Sequence, residues 1–311
     1  MRLMKIRIGS RGSKLALWQA EWVRQQLQVH DPSCIVEIEI IKTTGDRIAD
    51  IPLGAIGVKG LFTKEIEEAL LERRVDVAVH SLKDVPTELP EGLQLMAITE
   101  REIPCDVFAG KNPQARLMTL PSGAIIGTSS LRRRCQLLHL RPDLHVTDLR
   151  GNIDTRLRKL DTTEIHGIIL AAAGLRRLGF DERISEVLAP ELMVPAIGQG
   201  ALGLEARVDD EATASRLAFL NSTTTAAATT AERSFLRRLG GGCQVPIAGY
   251  ACVDGQWLSM IGLVGTADGS VLVRDTQRGA LTDPEALGVQ LAERLLQAGA
   301  QRILDAFYGR S

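Results

Sequence analysis

Apolar residues follow two different spacings along the greater part of this chain. Compact or alternating apolar runs, which are typical of strands, cover residues 6–9, 36–41, 75–79, 124–127, 145–149, 167–170 and 202–206. Between them lie stretches with apolar residues three or four positions apart, such as Phe62, Ile66 and Leu70, and this spacing predicts amphipathic helices. Because strands alternate with helices, the pattern predicts α/β domains built on mixed, mostly parallel sheets.

The pattern changes after Asn221. A predicted helix over 226–239 is followed by three predicted strands, over 246–253, 257–265 and 270–275, and by closing helices over 283–308. Strands grouped in this way indicate a separate α+β domain. The length of 311 residues also exceeds what one hydrophobic core usually serves, so we expect two or three domains.

Basic and hydroxyl side chains, and one carboxylate, follow several of the predicted strands at the point where each strand ends. In chain order these are Ser81, Lys83 and Asp84, then Ser129, Arg132 and Arg133, then Arg150 and Arg156, and finally Arg176 and Arg177. Ligands of open α/β sheets bind beyond the carboxyl ends of the strands. Cations in the first turns of a helix oppose its dipole unless an anion is bound there. The repeated placement favours a polyanionic ligand, although an ion pair of Lys83 with Asp84 and solvated arginines remain open alternatives.

The basic residues are mainly arginines, 29 of 37, and no lysine occurs after Lys159. Arginine binds carboxylate or phosphate groups through two parallel hydrogen bonds, which again suits a polyanion, although codon composition of the source genome explains the bias equally well. The net charge of −1 argues against a general nucleic-acid or anionic-membrane binder, because both need a broad basic surface.

The N-terminal residues and the cysteines bear on the cellular compartment. Residues 1–10 carry three basic residues and no apolar run long enough for a signal peptide or a membrane span, so we expect a cytoplasmic protein. The five cysteines are widely spaced and include no CxxC pair. We therefore expect neither a disulfide framework nor a metal site.

Two further segments have the character of binding loops. Arg11 and Ser13 lie where a predicted strand leads into a helix, and the N–H groups of a helix start attract anions, although Ser13 is equally well explained as an N-cap. The glycine-rich segment over 43–60, which contains Lys59, has no hydrophobic period. A segment of this length is typical of a lid or a binding loop, unless it is disordered.

Cys243 follows three glycines on a predicted helix-to-strand loop. Glycines give the backbone unusual freedom and leave space beside the next residue. A free cysteine in a tight turn is often a buried structural residue, and the loop by itself does not decide between that interpretation and a chemical one.

Taken together, seven stretches resemble the porphobilinogen deaminase family, also called hydroxymethylbilane synthases. They are LALWQA at 15–20, KGLF at 59–62, HSLKDVP at 80–86, GTSSLRR at 127–133, LRGN at 149–152, PAIGQG at 195–200 and GGCQVP at 241–246. These stretches span nearly the whole chain in the order that the family has them.

The resemblance implies two α/β domains of periplasmic-binding-protein type and a third, α+β domain with a three-stranded sheet. Domain 1 is expected over residues 1–99 together with a return segment over 200–218, domain 2 over 100–199, and domain 3, with the cysteine, over 219–311.

The resemblance also implies a cytoplasmic, monomeric transferase of tetrapyrrole (haem) biosynthesis. A dipyrromethane cofactor, and no metal, is expected to be joined to Cys243 by a thioether. Four porphobilinogen molecules are condensed onto it stepwise with loss of ammonia, and water then releases hydroxymethylbilane. The expected partner is this small-molecule substrate, not a nucleic acid or a membrane.

Site residues are transferred from the family position by position. Asp84 matches the family's catalytic carboxylate and is also expected to contact the cofactor. The residues that match positions holding cofactor carboxylates are Lys83, Ser129, Arg132, Arg133 and Arg150. Those that match substrate-binding positions are Arg11, Ser13, Arg150, Arg156 and Arg177, and Lys59 and Phe62 match the active-site loop.

One departure from the family and two alternative functions are relevant. The family often has a second lysine where this chain has Ala55, and the neighbouring Gly57 and Val58 also make the loop different. A periplasmic solute-binding protein for a polycarboxylate would share the two α/β domains, but we expect an export signal in such a protein. An anion-binding regulator would use the helix start at GTSSLRRR, yet no Walker-type GxxxxGK[ST] motif occurs.

Overall fold

The computed structural model describes residues 5–47, 62–241 and 245–309. The strands in these ranges are β1 (Lys5–Ser10), β2 (Ile35–Ile40), β3 (Val77–Ser81), β4 (Leu93–Ile98), β5 (Asp106–Gly110), β6 (Ile125–Gly127), β7 (His145–Thr147), β8 (Gly167–Ala171), β9 (Glu186–Leu188), β10 (Leu202–Arg207), β11 (Ile247–Asp254), β12 (Trp257–Gly265) and β13 (Leu272–Ala280). The α-helices are α1 (Lys14–His30), α2 (Thr44–Arg47), α3 (Lys64–Leu71), α4 (Leu131–Leu140), α5 (Ile153–Thr162), α6 (Ala172–Arg177), α7 (Glu211–Leu217), α8 (Thr223–Arg238), α9 (Pro284–Leu295) and α10 (Gln301–Tyr308).

Contacts between Cα atoms divide the chain into two compact units. Unit 1 comprises Met1–Glu102 and Ala201–Ala226, and unit 2 comprises Ile103–Gly200 and Ala227–Ser311. Unit 2 therefore contains both the second α/β sheet and the C-terminal strands. The further division into three domains, with boundaries near 99, 199 and 218, stays a prediction.

The sheet of unit 1 has the strand order β2-β1-β3-β10-β4. β1 pairs in parallel with β2 and β3, whereas β10 is antiparallel to both β3 and β4. One face of the sheet packs on α1, because Ile6 and Ile8 of β1 and Ala20 and Val23 of the helix are fully or almost fully buried in one cluster. The returning strand β10 lies between β4 and β3, and β3 leads into the HSLKDVP stretch.

The α/β sheet of unit 2 repeats this plan. Its strand order is β7-β6-β8-β5-β9, with β6 parallel to β7 and β8 and with β5 antiparallel to β8 and β9. Among the described strands, one in each five-stranded sheet runs against the other four. The predicted class of mixed, mostly parallel sheets is therefore confirmed.

The C-terminal strands β11, β12 and β13 form an antiparallel three-stranded sheet in that order, also within unit 2. Phe235 of α8 is fully buried in its core with Leu291 of α9. Gly288 allows the two helices to pack closely, since a Cβ atom there would lie 2.0 Å from the carbonyl oxygen of Ala231. The predicted α+β character of this region is confirmed.

The sequence pattern and the structure differ in detail. β4, β5 and β9 were not predicted, and β13 runs over 272–280, beyond the predicted 270–275. The closing helices are interrupted over Leu296–Ala300, where Gly299 has a φ of 112°. No helix in the described part of the chain combines the length and the apolar character needed to cross a membrane.

Candidate active site

Asp84 lies in a short 3-10 turn, Leu82–Asp84, directly after β3. The turn is fixed by two apolar anchors, because Leu82 and Val85 are both buried. Their backbone N–H groups donate to Ala201 O at 3.0 Å and to Leu82 O at 3.1 Å, respectively. With these two positions turned inward, Lys83 is half-buried and Asp84 is exposed at the carboxyl end of the strand.

Arg11 and Ser13 precede α1 in the same unit. The Ser13 side chain accepts a hydrogen bond from the Ala16 N–H at 3.3 Å, which confirms its interpretation as the N-cap of the helix. The guanidinium carbon of Arg11 lies 4.2 Å from the centre of the Phe62 ring, in cation–π geometry. This contact connects the residue before α1 with the residue that ends the KGLF stretch.

A cavity of about 70 Å³ brings four predicted site residues of unit 1 together. Arg11, Ser13, Phe62 and Asp84 all line it. A carboxylate, a guanidinium, a hydroxyl and an aromatic ring therefore share one small enclosure, which suits a small charged ligand.

The same cavity is also lined by Ser81, which the strand-end pattern placed at a ligand site, and by Gln19 and His80, which were not among the predicted site residues. The buried Gln19 donates through Nε2 to the Ser81 hydroxyl at 2.8 Å. His80 Nε2 lies 2.9 Å from Glu205 Oε2, and both side chains are buried. The sequence does contain a signal for Gln19, since it is a polar residue on the apolar face of α1, between Ala16 and Val23.

In unit 2, Ser129 and Ser130 lie between the end of β6 and the start of α4. Ser130 is the N-cap of α4, and its side chain accepts from the Arg133 N–H at 3.4 Å. The Ser129 hydroxyl oxygen accepts from the Leu149 N–H at 3.0 Å. A hydroxyl that accepts in this way keeps its own proton for donation.

Arg132 and Arg133, on the first turn of α4, are buried against Asp106 of β5, each only 6% exposed. Arg132 Nη1 donates to Asp106 Oδ2 at 2.6 Å and to Val194 O at 2.8 Å. Arg133 donates to Asp106 Oδ1 at 2.8 Å and to Ile169 O at 2.9 Å. This internal carboxylate was not foreseen, and the assignment of both arginines to a cofactor stays a prediction.

The charges in this buried cluster do not cancel. Burial raises the pKa of the Asp106 carboxyl, but the two adjacent guanidinium groups outweigh it, so that the net pKa lies below the ordinary range of an aspartate. One carboxylate then faces two guanidinium groups. The start of α4 therefore keeps a net positive charge of about one unit, in addition to the partial positive charge of a helix N-terminus.

Arg150 and Arg156 lie around the turn that leads into α5. Gly151 in this turn has a φ of +110°, which favours glycine. Arg156 Nε donates to Gly151 O at 2.8 Å, and Lys159 Nζ donates to Arg150 O at 3.2 Å. Two cationic side chains of α5 thus hold the carbonyl groups of the LRGN stretch, and Arg150 and Arg156 are themselves half-buried.

Arg177, the last residue of α6, contacts the PAIGQG stretch. Its Nη2 donates to Gly200 O at 2.6 Å. The same stretch is held by the fully buried Glu232 of α8, whose carboxylate accepts from Gly198 N–H at 2.6 Å and from Ala251 N–H at 2.8 Å. The helix that precedes the Cys243 loop is thereby connected to the stretch that Arg177 contacts.

Cys243 and Lys59 lie outside the described residues, as does Ala55. The glycines before the cysteine are described as far as Gly241, whose Cβ position would be 2.3 Å from Ile247 Cδ1. A side chain at Gly241 would therefore displace the end of the Ile247 side chain, which belongs to β11. Gly240 has a φ of +63°, which also suits glycine.

Comparisons with known proteins cover almost the full chain. The family model described as "Porphobilinogen deaminase, dipyromethane cofactor binding domain" matches residues 6–215, and the model of the C-terminal domain of the same family matches residues 226–297. Among solved structures, the chain is similar to the methionine-binding protein MetQ at 13% identity and a TM-score of 0.42, over 70% of this chain and 89% of that one.

Curated relatives carry the same family name. The porphobilinogen deaminase of Trichlorobacter lovleyi is 52% identical over 306 residues, which are 98% of this chain and 97% of that protein. The one of Geobacter sulfurreducens is 52% identical over 310 residues, 100% of this chain and 97% of that protein. The one of Syntrophotalea carbinolica is 54% identical over 302 residues, 97% of this chain and 95% of that protein. With the family models and these relatives matching over nearly its whole length, the chain belongs to the porphobilinogen deaminase family.

Proposed function

We propose that this chain condenses four porphobilinogen molecules head to tail on a covalently held dipyrromethane, with loss of ammonia, and then releases hydroxymethylbilane by hydrolysis. It is a transferase of tetrapyrrole biosynthesis, in keeping with its family. The observation that carries the residue assignment is the cavity of unit 1, in which the exposed Asp84 carboxylate lies with Arg11 and Ser13. A cytoplasmic location and a monomeric state stay predictions.

The described residues fit the carboxylates of a dipyrromethane. Two pyrrole rings, each with an acetate and a propionate, bring four negative charges, and the start of α4 keeps a net positive charge beside the Ser129 hydroxyl. We assign Lys83, Ser129, Arg132, Arg133 and Arg150 to these carboxylates, and the thiol of Cys243 to the covalent attachment. When bound, the group supplies the free pyrrole carbon that accepts the first substrate unit.

Asp84 is proposed to act on the substrate directly. Loss of ammonia from porphobilinogen leaves a cationic azafulvene whose charge is shared with the pyrrole nitrogen. A fixed carboxylate stabilises that charge and accepts the proton that the reacting ring carbon gives up. The buried anchors Leu82 and Val85 support this role, because they hold the Asp84 backbone in place while its side chain stays exposed.

The arginines outside the buried cluster are proposed to bind the substrate carboxylates. The planar guanidinium of Arg11, packed on Phe62, has two N–H groups in a geometry that matches a carboxylate. The Ser13 hydroxyl, which accepts from Ala16, keeps its proton for a second hydrogen bond. Arg156 and Arg177 serve the same purpose in unit 2, and Lys59 and Phe62 belong to the active-site loop.

The intact mass of the denatured protein tests this function. We expect an adduct of two porphobilinogen units less two ammonia on the wild-type chain, and no adduct on the variant Cys243→Ser. Peptide mapping should place the adduct on Cys243, whereas Cys252→Ser, a change at an exposed cysteine of the same region, should carry the full adduct. Full activity of a chain without the adduct would contradict the proposal.

A further inference from the structure

His80 belongs to the cavity that contains Asp84, although it occupies the last but one position of a buried strand. Both residues line this cavity, together with Arg11. His80 is buried, whereas Asp84 is exposed. A buried histidine therefore shares the cavity with the carboxylate that the proposed reaction uses.

The strand pairing explains how this imidazole is held. His80 of β3 lies opposite Gly203 of β10, and Glu205 lies opposite Ala78, so that His80 and Glu205 are diagonal neighbours on one face of the sheet. Because Gly203 has no side chain, the imidazole is free to extend across it, and Nε2 reaches Glu205 Oε2 at 2.9 Å. Glu205 is 0% exposed, so this carboxylate acts on the imidazole without competition from solvent.

A third titratable group completes the cluster. Glu67 of α3 is buried, and burial together with the nearby Glu205 carboxylate raises its pKa. Glu205 Oε1 and Glu67 Oε1 are both buried without a hydrogen-bond partner among the described residues. Among the described residues, Glu205 on β10 contacts His80, Glu67 on α3 interacts electrostatically with both, and Asp84 and Arg11 line the same cavity.

From this arrangement we infer that His80, held by Glu205, is a second proton-transfer residue of the reaction. The inference rests on the proposed function. With Nε2 bound to Glu205, Nδ1 is the ring atom that takes up and returns a proton. The buried Glu205 carboxyl group orients the ring through its contact with Nε2.

In one condensation, a proton has to move from the reacting ring carbon to the departing ammonia, and His80 is inferred to carry it. The incoming porphobilinogen, with its amine protonated, loses ammonia and becomes the cationic azafulvene, and the pyrrole carbon that bonds to it loses one proton. Asp84 accepts the proton from carbon and passes it to Nδ1 of His80. His80 returns it to the ammonia, which leaves as ammonium. Asp84 is then ionised again for the next substrate molecule, and no further reactant is needed.

A purely structural His80 would satisfy the same hydrogen bond with Glu205, so the two roles must be separated by their response to pH. A structural imidazole affects folding and the amount of active enzyme equally at all pH values at which the protein is folded. A proton-transfer imidazole must be neutral to accept a proton, so kcat falls on the acid side as His80 becomes protonated.

The test is the pH profile of kcat between about pH 6 and 9 for the adduct-carrying wild type and the variants His80→Gln, Glu205→Gln and His145→Gln. We expect His80→Gln to lower the plateau by about 10-fold to 100-fold and to abolish the acid limb. Glu205→Gln should move the acid limb, because it removes the carboxyl group that contacts Nε2 of His80. His145, an exposed histidine of β7, is the matched control and should leave the profile unchanged.

A second readout is independent of turnover. In protein with isotopically labelled histidine, the NMR signal that is missing from His80→Gln should titrate with a midpoint equal to that of the acid limb, and the midpoint and the acid limb should move together in Glu205→Gln. The inference would be overturned if the acid limb of the kcat profile stayed at the same pH in a folded Glu205→Gln variant, or if it persisted in the His80→Gln variant. A wild type that consumes no porphobilinogen would instead overturn the proposed function, while the NMR titration still reports on the pair of His80 and Glu205.

Discussion

Arginines at the cavity of unit 1 and at the start of α4 in unit 2 follow strand ends in the same way, yet their surroundings differ. Arg11 is half-buried, packs on Phe62 and lines a cavity with a carboxylate that solvent reaches. Arg132 and Arg133 are buried on Asp106, which no solvent reaches. The comparison shows that Arg132 and Arg133 stabilise the fold through a buried carboxylate, whereas Arg11 lines a cavity and is proposed to bind the substrate there.

The variant Asp84→Asn tests the reactive side of this comparison, with the largest expected effect. An amide neither accepts the ring proton nor stabilises a cation as a carboxylate does, so kcat should fall roughly 10²-fold to 10⁴-fold. Because Asp84 is exposed, the free energy of unfolding should change by less than about 0.5 kcal/mol. Turnover assays and urea denaturation measure the two effects, and near-normal turnover would remove Asp84 from the mechanism.

The variant Asp106→Asn tests the structural side. It leaves two buried guanidinium groups without the compensating charge, and breaking a buried ion pair in this way costs about 3–5 kcal/mol. The control is Asp254→Asn, which removes an exposed ion pair with Arg278 and should cost about 0–1 kcal/mol. Equal costs in urea denaturation would mean that the Asp106 cluster is not the structural element proposed here.

The same cluster predicts a dependence on pH. The pKa of Asp106 is held below its unfolded value, chiefly by the two arginines against the opposing effect of burial. Its stabilising contribution is therefore complete above the unfolded pKa of about 4 and is lost as pH falls towards the lower folded value. The difference in unfolding free energy between wild type and Asp106→Asn should be constant from pH 7 to about pH 5 and should narrow below about pH 4. A difference that widens on acidification would contradict this assignment.

Local pattern in the sequence accounts for much of the fold and for part of the site. Strands β1, β3, β6, β8 and β10 and most helices follow from hydrophobic spacing, and the turn after β3 follows from the strand that precedes it. The local pattern placed Asp84 at a strand end and Arg11 and Ser13 before a helix, their roles came from the family resemblance, and the cavity brings these three residues together. The sequence therefore predicts the features that one segment determines by itself, such as a strand or the start of a helix.

The hydrophobic pattern did not predict contacts between segments that are far apart in the sequence. Asp106 lies 26 residues before Arg132, on a strand whose short run DVFAG shows no alternation, and its pairing with α4 depends on the order of strands in the sheet. Glu205 lies 125 residues after His80, and only the antiparallel register of β3 and β10 brings them together. Periodicity specifies which residues face a core, but it does not specify the neighbour across the sheet.

A smaller effect is expected from Arg11→Leu, which sharpens the description of Arg11 as a ligand-binding residue. A hydrogen bond to a charged group contributes about 1.5–3 kcal/mol, so KM for porphobilinogen should rise roughly 10-fold to 100-fold with a smaller change in kcat. The control is Arg24→Leu, since Arg24 lies on α1 and pairs with Glu21 at 2.7 Å. An unchanged KM for Arg11→Leu would show that this arginine does not bind the substrate.

The smallest effect is expected from Ser129→Ala. This residue combines a structural hydrogen bond with a proposed contact to the cofactor. Ser129 accepts the Leu149 N–H, so the variant should lower the free energy of unfolding by about 1 kcal/mol. Ser13→Ala, which removes the N-cap of α1, should cost a similar amount. Ser129 also has a proton to donate to a cofactor carboxylate. Ser129→Ala should therefore lower the free energy of unfolding more in the adduct-carrying protein than in the adduct-free protein. An equal loss in both forms, measured by urea denaturation, would mean that Ser129 serves the turn after β7 and does not contact the cofactor.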